Sequence, residues 1–276
     1  MIFPGQRIIL TGAAGGIGYR LALLLAARGT RLALVERNVD RVEEICAEIK
    51  QLGGSAKPIV LDLAIEGAAQ HAAETAVQLM GGVDMVINNA GIMDFTLFER
   101  QDPKRIQQMI NINVTAPLLL THALLPYFLE QNSGRIVNIG SAFGSIGFPH
   151  FATYCASKFA MRGFSEALRR ELTDSPIGVT YISPRATKTP LNNDVTTQML
   201  EATKTNMDEP EYVAAQIILA IETGRKEHFI GQPESFFARL NGLLPRLVDK
   251  GLLNNTRIAR SFAESINKSF NSRRSS

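Results

Sequence analysis

The stretch Arg7-Ile8-Ile9-Leu10-Thr11-Gly12-Ala13-Ala14-Gly15-Gly16-Ile17-Gly18 decides how this chain is read. A short apolar run of strand character gives way to four glycines in seven residues, and these lead into an amphipathic helical pattern that continues to residue 28. Glycine lets the backbone turn tightly and lets another group approach it closely. The start of a helix offers unpaired N–H groups and a partial positive charge. Together these suit a pyrophosphate. The same residues could simply join a strand to a helix with no ligand. Their placement, after a strong strand and at the opening of a helix, is what points to a dinucleotide.

Outward from this loop, short apolar runs alternate with longer amphipathic stretches. Strands are expected over residues 7–11, 31–36, 58–61, 83–88, 134–140, 178–183 and 227–230. Helices are expected over 16–28, 39–51, 65–80, 103–130, 154–174 and 210–223. The strands are continuous apolar runs, which suits a parallel sheet covered on both faces. Regular interleaving with helices implies right-handed crossovers. The expectation is an α/β fold of Rossmann type: a doubly wound, parallel, seven-stranded sheet in three layers, followed by a C-terminal amphipathic helical extension. Residues 187–208 are polar, Thr-rich and weakly periodic, and read as a mobile lid.

Three acidic or basic residues bear on the nucleotide. Glu36 ends the second strand, about 20 residues past the glycines, where a carboxylate suits the adenosine ribose hydroxyls and repels a 2′-phosphate. Arg37 follows directly, and a guanidinium pairs with that phosphate; it reads equally as a solvated surface side chain. Gly15, standing just before Gly16, adds no cation. The balance leans to NAD(H) over NADP(H). Asp62, followed by Leu63 at the end of the third strand, suits either the adenine amino group or the N-cap of the next helix.

Tyr154 and Lys158 lie four residues apart on an expected helix, hence on one face. A free phenol, with a pKa of about 10, is a poor base at neutral pH. A nearby ammonium favours the phenolate, and a tuned phenol can exchange a proton with a substrate oxygen. Ser141 ends the fifth strand, at the sheet edge where ligands bind in such folds. Thr11 to Gly18, Asn88-Asn89-Ala90-Gly91, Asn113-Val114-Thr115-Ala116, Ser141 and Tyr154-Cys155-Ala156-Ser157-Lys158 occur in this order, with Ser141 thirteen residues before Tyr154. In these motifs, over roughly residues 5–232, the chain resembles the short-chain dehydrogenase/reductase family in its single-domain form.

The resemblance implies Tyr154 as general acid/base and Lys158 as the group that binds the nicotinamide ribose and depresses the Tyr154 pKa. It implies Ser141 as the residue orienting the substrate oxygen, and Asn113 as the holder of a water in a proton relay through Lys158. Outside the resemblance Asn113 is only a polar residue at the start of a helix. Gly12, Ala14, Gly15, Gly16, Ile17, Gly18, Asn89, Ala90 and Gly91 would line the cofactor, with Pro184, Thr187 and Thr189 beyond the sixth strand. The family's usual Pro-Gly is here Pro184-Arg185, which puts the local turn in question and reads as solvation or a structural pairing of Arg185. Met93, Phe95, Phe143, Phe148, His150, Leu191 and Val195 are candidates for the substrate pocket, mostly apolar, and any of them could equally be packing in the core or lid.

The 276 residues are 45% hydrophobic and 20% charged with a net charge of +3, which gives no strong pull toward nucleic acid. From residue 241 onward seven Lys/Arg face two acidic residues, a surplus of five that leaves −2 for the rest. Within that region basic and apolar residues interleave, a pattern that suits packing on the same subunit, on a partner, or on an anionic membrane surface. Residues 1–232 therefore read as a dinucleotide-binding and catalytic domain, and 233–276 as an extension. No uninterrupted apolar run reaches the roughly 18 residues of a membrane span. Cys46 and Cys155 read as free thiols in a reducing, cytoplasmic setting. A homodimer or homotetramer is what the resemblance implies, through helices 103–130 and 154–174. The functional expectation is hydride transfer between a nicotinamide cofactor and the alcohol or carbonyl of an apolar small molecule. The alternative is a dinucleotide-binding regulator or scaffold without turnover.

Overall fold

A computed structural model describes residues 2–274. Its sheet has seven parallel strands in the order β3-β2-β1-β4-β5-β6-β7. The strands are β1 (Arg7–Thr11), β2 (Arg31–Glu36), β3 (Ser55–Val60), β4 (Met85–Asn88), β5 (Gly134–Ile139), β6 (Ile177–Ser183) and β7 (Glu227–Phe229). Successive side chains of a strand face opposite ways. Ile8 and Leu10 accordingly pack under α1 (Gly16–Ala26), α2 (Val39–Gln51) and α8 (Pro210–Glu222). Ile9 packs under α3 (Ala68–Met80), α5 (Ala116–Glu130) and α6 (Ala152–Glu171). All three isoleucine and leucine side chains are fully buried, each contributing roughly 1.5–3 kcal/mol relative to exposure. Two-sided burial is why this strand reads as an unbroken apolar run.

The central strands are also tied by a buried polar network. Asn88 Nδ2 donates to Asn138 Oδ1 (2.8 Å), and Asn138 Nδ2 donates to Ser165 Oγ (2.8 Å), linking β4, β5 and α6. These pairings favour one register, with Asn88 Oδ1 the one atom of the three side chains left buried without a hydrogen-bond partner. The order of the strands reverses between β1 and β4, so the ligand crevice falls at their carboxyl ends.

Several boundaries differ from expectation for local reasons. The helix expected over 103–130 is broken: α4 (Pro103–Ile110) is followed by a π-helical turn at Asn111–Thr115 and then by α5. By length and mean hydropathy this stretch would qualify to cross a membrane. In the fold Leu120, Leu124 and Phe128 are buried within the helix–sheet core. β3 begins three residues early; it is a sheet-edge strand, largely exposed, where Pro58 is tolerated. α3 begins late because Gly67, at φ +79°, breaks the chain ahead of it. The expected lid contains a helix, α7 (Asp194–Ala202), whose N-cap Asn193 accepts from Thr196 N at 2.8 Å. Beyond β7, α9 (Glu234–Leu243) and α10 (Pro245–Arg274) fold back on the body. Ala259 and Ala263 of α10 are buried in the cluster that holds Met199 and Leu200 of α7.

Candidate active site

A cleft of about 560 Å³ opens across the carboxyl ends of β1–β4. Every residue the sequence nominated for the nucleotide from Gly12 through Gly91 lines it, together with Thr189. The glycines are dictated by space. Gly12 has φ +68°, and a Cβ there would stand 2.7 Å from Ala90 Cα. A Cβ on Gly18 would stand 2.1 Å from the Gly12 carbonyl oxygen, and one on Gly16 would stand 2.6 Å from Thr189 Cγ2. The α1 amino end is thus bare backbone, a cradle fit for a pyrophosphate.

Asn89 fastens that cradle to β4: its Nδ2 donates to the carbonyls of Thr11 and Gly12, both at 3.1 Å. Thr11 Oγ1 in turn accepts from the N–H groups of Asn89 and Ala90 at 3.0 Å. Glu36 accepts from Ala14 N (3.2 Å) and Arg37 N (2.9 Å), so its carboxylate sits between the cradle and the strand end. Arg37 is exposed at the rim. Asp62 is not the helix cap; Gly67 holds that position. Its Oδ1 accepts from Ala64 N at 2.9 Å, closing a turn at the cleft wall.

A second, smaller cleft of about 160 Å³ adjoins the first, sharing Ile17, Asn89, Gly91, Thr189 and Leu191 with it. Ser141, Tyr154, Lys158, Pro184 and Thr187 line it, as do Met93, Phe143, Phe148 and Leu191. Tyr154 and Lys158 are brought together by α6, with the ammonium 5.7 Å from the ring centroid. Lys158 Nζ donates to Ile139 O at 3.1 Å. Burial draws the Lys158 pKa down to about 8. Burial also pushes the Tyr154 phenol well above its usual value, offset in part by a hydrogen bond with Ser141. The lowering of the Tyr154 pKa expected from Lys158 is not borne out: loss of solvent dominates, and the group that opposes it is Ser141.

Ser141 Oγ accepts from Phe143 N at 3.1 Å, which fixes the loop beyond β5. Asn113 lies in the π-helical turn, buried. Its Nδ2 donates to Ile92 O (2.9 Å) and Ser157 Oγ (3.0 Å), and its Oδ1 accepts from Ile92 N (2.8 Å). The side chain is a brace between the β4 loop and α6. It does not line the second cleft.

Three substrate candidates sit elsewhere. His150, at φ +67°, stands edge-on to Phe95 with ring centroids 6.1 Å apart, near the charges of Arg260 and Glu264 on α10, and not in the wall of either cleft. Phe95 and Val195 pack in the apolar cluster behind the cleft. Conversely, Phe151, Thr196 and Leu200 line it and carried no sequence signal, since each reads as ordinary helix or core. Tyr181, fully buried, lies beneath the Ser141 loop with its hydroxyl 3.5 Å from Ser141 O. It fills the space left by Gly140 and Gly144, where a Cβ would meet its hydroxyl within 2.5 Å.

Arg185, standing where glycine is usual, makes a two-pronged pair with Asp208 (Nε–Oδ2 2.9 Å, Nη2–Oδ1 2.8 Å) and donates to Gln232 O at 2.7 Å. Gly231, at φ +92°, leaves room for it. Asp208 N donates to Ala186 O and Lys188 N to Asp208 O, both at 2.9 Å, so the pair clasps the two ends of the lid.

The geometry is that of a dinucleotide-binding α/β protein with an acid–base pair beside the nucleotide groove. A family profile described as short chain dehydrogenase matches residues 6–200. Estradiol 17-beta-dehydrogenase 11 of Mus musculus is 32% identical over 245 residues, 87% of this chain and 80% of that protein. The 3-oxoacyl-(acyl-carrier-protein) reductase FabG of Thermotoga maritima is 29% identical over 84% of this chain and 96% of its own. Among solved structures, a short-chain dehydrogenase/reductase from Burkholderia phymatum in complex with NAD superposes with a TM-score of 0.81 at 21% identity, covering 90% of this chain and 96% of that one. A short chain dehydrogenase from Burkholderia cenocepacia in complex with NADP gives 0.75 at 26% identity, with coverages of 85% and 100%. The chain belongs to the short-chain dehydrogenase/reductase family and is an NAD(P)-dependent oxidoreductase.

Proposed function

We propose that this enzyme interconverts an alcohol and a carbonyl on an apolar small molecule, with Tyr154 as the proton-transferring group. The observation that carries this is that Ser141, Tyr154 and Lys158 line an aromatic cleft sharing a wall with the nucleotide groove. The bound nicotinamide supplies or takes the hydride. Ser141 holds the substrate oxygen, Tyr154 exchanges a proton with it, and Lys158, beside the Tyr154 ring, is the cation that would favour the phenolate. Lys158 would also hold the nicotinamide ribose; Thr187, Thr189 and Pro184 would hold its carboxamide end. Phe143 stacked on Phe148 (5.2 Å) and edge-on to Tyr154 (6.2 Å) excludes water from the reacting oxygen and supports an apolar substrate. Asn113 acts as a brace for this arrangement, and a relay water would rest on its backbone rather than its committed side chain.

NAD(H) is the favoured nucleotide. The Glu36 carboxylate, at the end of β2 in the cleft wall, would repel a 2′-phosphate, and the second cation at that rim, Arg41, is committed to Glu44 (2.8 Å) and to the Tyr19 ring. Residues 1–232 would form the binding and catalytic domain. Exposed Leu119, Tyr127 and Leu129 on α5 and Phe159 on α6 support a homodimer or homotetramer through those helices. The free thiols of Cys46 and Cys155 support a cytoplasmic setting.

The test is a screen of apolar ketones and alcohols, followed through the reduced nicotinamide absorbance near about 340 nm. Tyr154→Phe is expected to lower kcat by about 10³-fold while leaving dinucleotide affinity within a few-fold; full activity in that variant would remove the assigned acid/base. Glu36→Ala is expected to weaken NAD(H) more than NADP(H), and equal losses would remove the nucleotide preference.

A further inference from the structure

Helices α9 and α10 are two-faced. Ala238, Val248, Ala259 and Ala263 are buried against the body. Phe236 (60% exposed) in the first turn of α9, and Leu243 (79%), Leu244 (54%) and Leu247 (55%) two turns further on, where the two helices meet, stand in solvent. Apolar side chains scattered singly over a surface are ordinary, but a contiguous set marks an interaction face. Arg239, Arg246 and Lys250 are exposed among them, opposed locally by Asp249.

A separate observation lies at the foot of α9. A cleft of about 230 Å³ is lined by Arg162, Arg225, His228 and Arg239, with Glu227 as its carboxylate. Two of these cations are held in place: Arg162 by Ser145 Oγ (2.7 Å) and by the Phe229 ring (5.4 Å), and Arg225 by His228 Nδ1 (2.9 Å). Guanidinium forks so arranged match a phosphate. Arg239 lies three residues from Phe236, so the cleft and the apolar ridge share one face of α9.

We propose that this face seats on an anionic phospholipid surface, with the ridge entering the acyl boundary and the arginine cleft taking a lipid phosphate. Charge complementarity favours lipid over a second copy of the chain. A two-fold contact brings the same patch of both subunits together, and would set a net-positive surface, Arg239, Arg246 and Lys250 against Asp249, on its own copy. The same helices reach the substrate cleft at two points. Asn241 Nδ2 donates to Ser145 O (2.9 Å) just past the Ser141 loop, and α10 backs the lid helix α7. A lipid-seated face would thus lie on the helices that back the lid and hold the loop beside the cleft, where an apolar substrate dissolved in the bilayer would arrive. That purpose rests on the apolar-substrate reading given above; the binding itself does not.

The experiment is co-sedimentation of the full chain with vesicles of phosphatidylcholine alone and of phosphatidylcholine with phosphatidylglycerol, at low and high salt, without substrate. Binding is expected to the anionic vesicles only, weakening as salt rises. Arg239→Glu is expected to cost about five-fold or more, and the Leu244→Asp/Leu247→Asp variant at least about ten-fold. Dinucleotide binding should be unchanged in both, which reports that they fold. No sedimentation of the wild-type chain with either vesicle would overturn the proposal. So would binding that the leucine variant retains and inorganic phosphate abolishes, which would reassign the cleft to a soluble phosphate-bearing ligand. Sedimentation velocity showing a wild-type dimer that this variant converts to monomer, without vesicle binding by either, would assign the ridge to a second copy. Because no turnover is read, failure here leaves the oxidoreductase reading intact, and failure of the substrate screen leaves this one intact.

Discussion

The two clefts are built differently. The nucleotide cleft is made of backbone: glycines whose missing side chains leave 2–3 Å clearances, and N–H and carbonyl groups held by Thr11 and Asn89. The substrate cleft is made of side chains delivered by a loop, a lid helix and α6, and backed by α10. A backbone site admits few alternatives, since its shape is set by what must be absent. A side-chain site can be re-lined residue by residue while its frame stays constant, and this is where members of one family come to differ in what they accept.

Gly18→Ala should break the comparison most severely. Its Cβ would stand 2.1 Å from the Gly12 carbonyl, which is backbone, and 2.8 Å from Asn89 Nδ2, a side-chain amide held by two hydrogen bonds. A cost toward about 3 kcal/mol is expected, read as a drop in Tm and a loss of dinucleotide affinity on the order of 100-fold. Unchanged affinity by titration calorimetry would show that the cradle is softer than its contacts imply. On the substrate side, Arg185→Gly removes one half of the lid clasp and strands the mostly buried Asp208. About a ten-fold rise in KM for substrate is expected, with kcat much less affected. Adding Asp208→Ala should recover part of the loss, since the stranded charge goes too. A change in kcat alone would assign Arg185 a part in the chemistry.

The smallest effect lies in Lys158, at the seam of the two clefts. Its folded pKa of about 8 lies below the ordinary value of 10.5. Between these values the unfolded chain holds more protons than the folded one, so the stability of the nucleotide-free protein should rise with pH across that window. Below pH 8 the cost of burying the ammonium is carried in full. From pH 8 to 9 a relative gain of about 1 kcal/mol is expected over Lys158→Met, measured by denaturant unfolding at each pH. Parallel pH profiles for the two proteins would mean that solvent reaches the ammonium.

The same contrast governs what could be read in advance. The central strands, their two-sided burial and the glycine cradle were legible because each forces a residue type: a doubly covered strand must be apolar throughout, and a 2.1 Å clearance must be glycine. The substrate end was legible only where a spacing carried it, as with Tyr154 and Lys158. Helix α7 escaped because its nine residues, two of them threonine, give little periodicity, and its N-cap Asn193 looks like any loop asparagine. The π-helical turn at residues 111–115 escaped because hydrophobic periodicity runs straight through it. Tyr181 reads as one more strand residue until Gly140 and Gly144 are seen to make way for it. His150, one of the pocket candidates, is set by its left-handed backbone beside Phe95 instead, a conformation no neighbouring residue type announces.

The contact between Thr189 and Gly16 links groove and lid. The threonine methyl rests against the first residue of α1, so the base of the lid lies across the edge of the nucleotide groove. A nucleotide seated in that groove would lie against the base of the lid, so filling the groove and placing the lid would be coupled through this one contact.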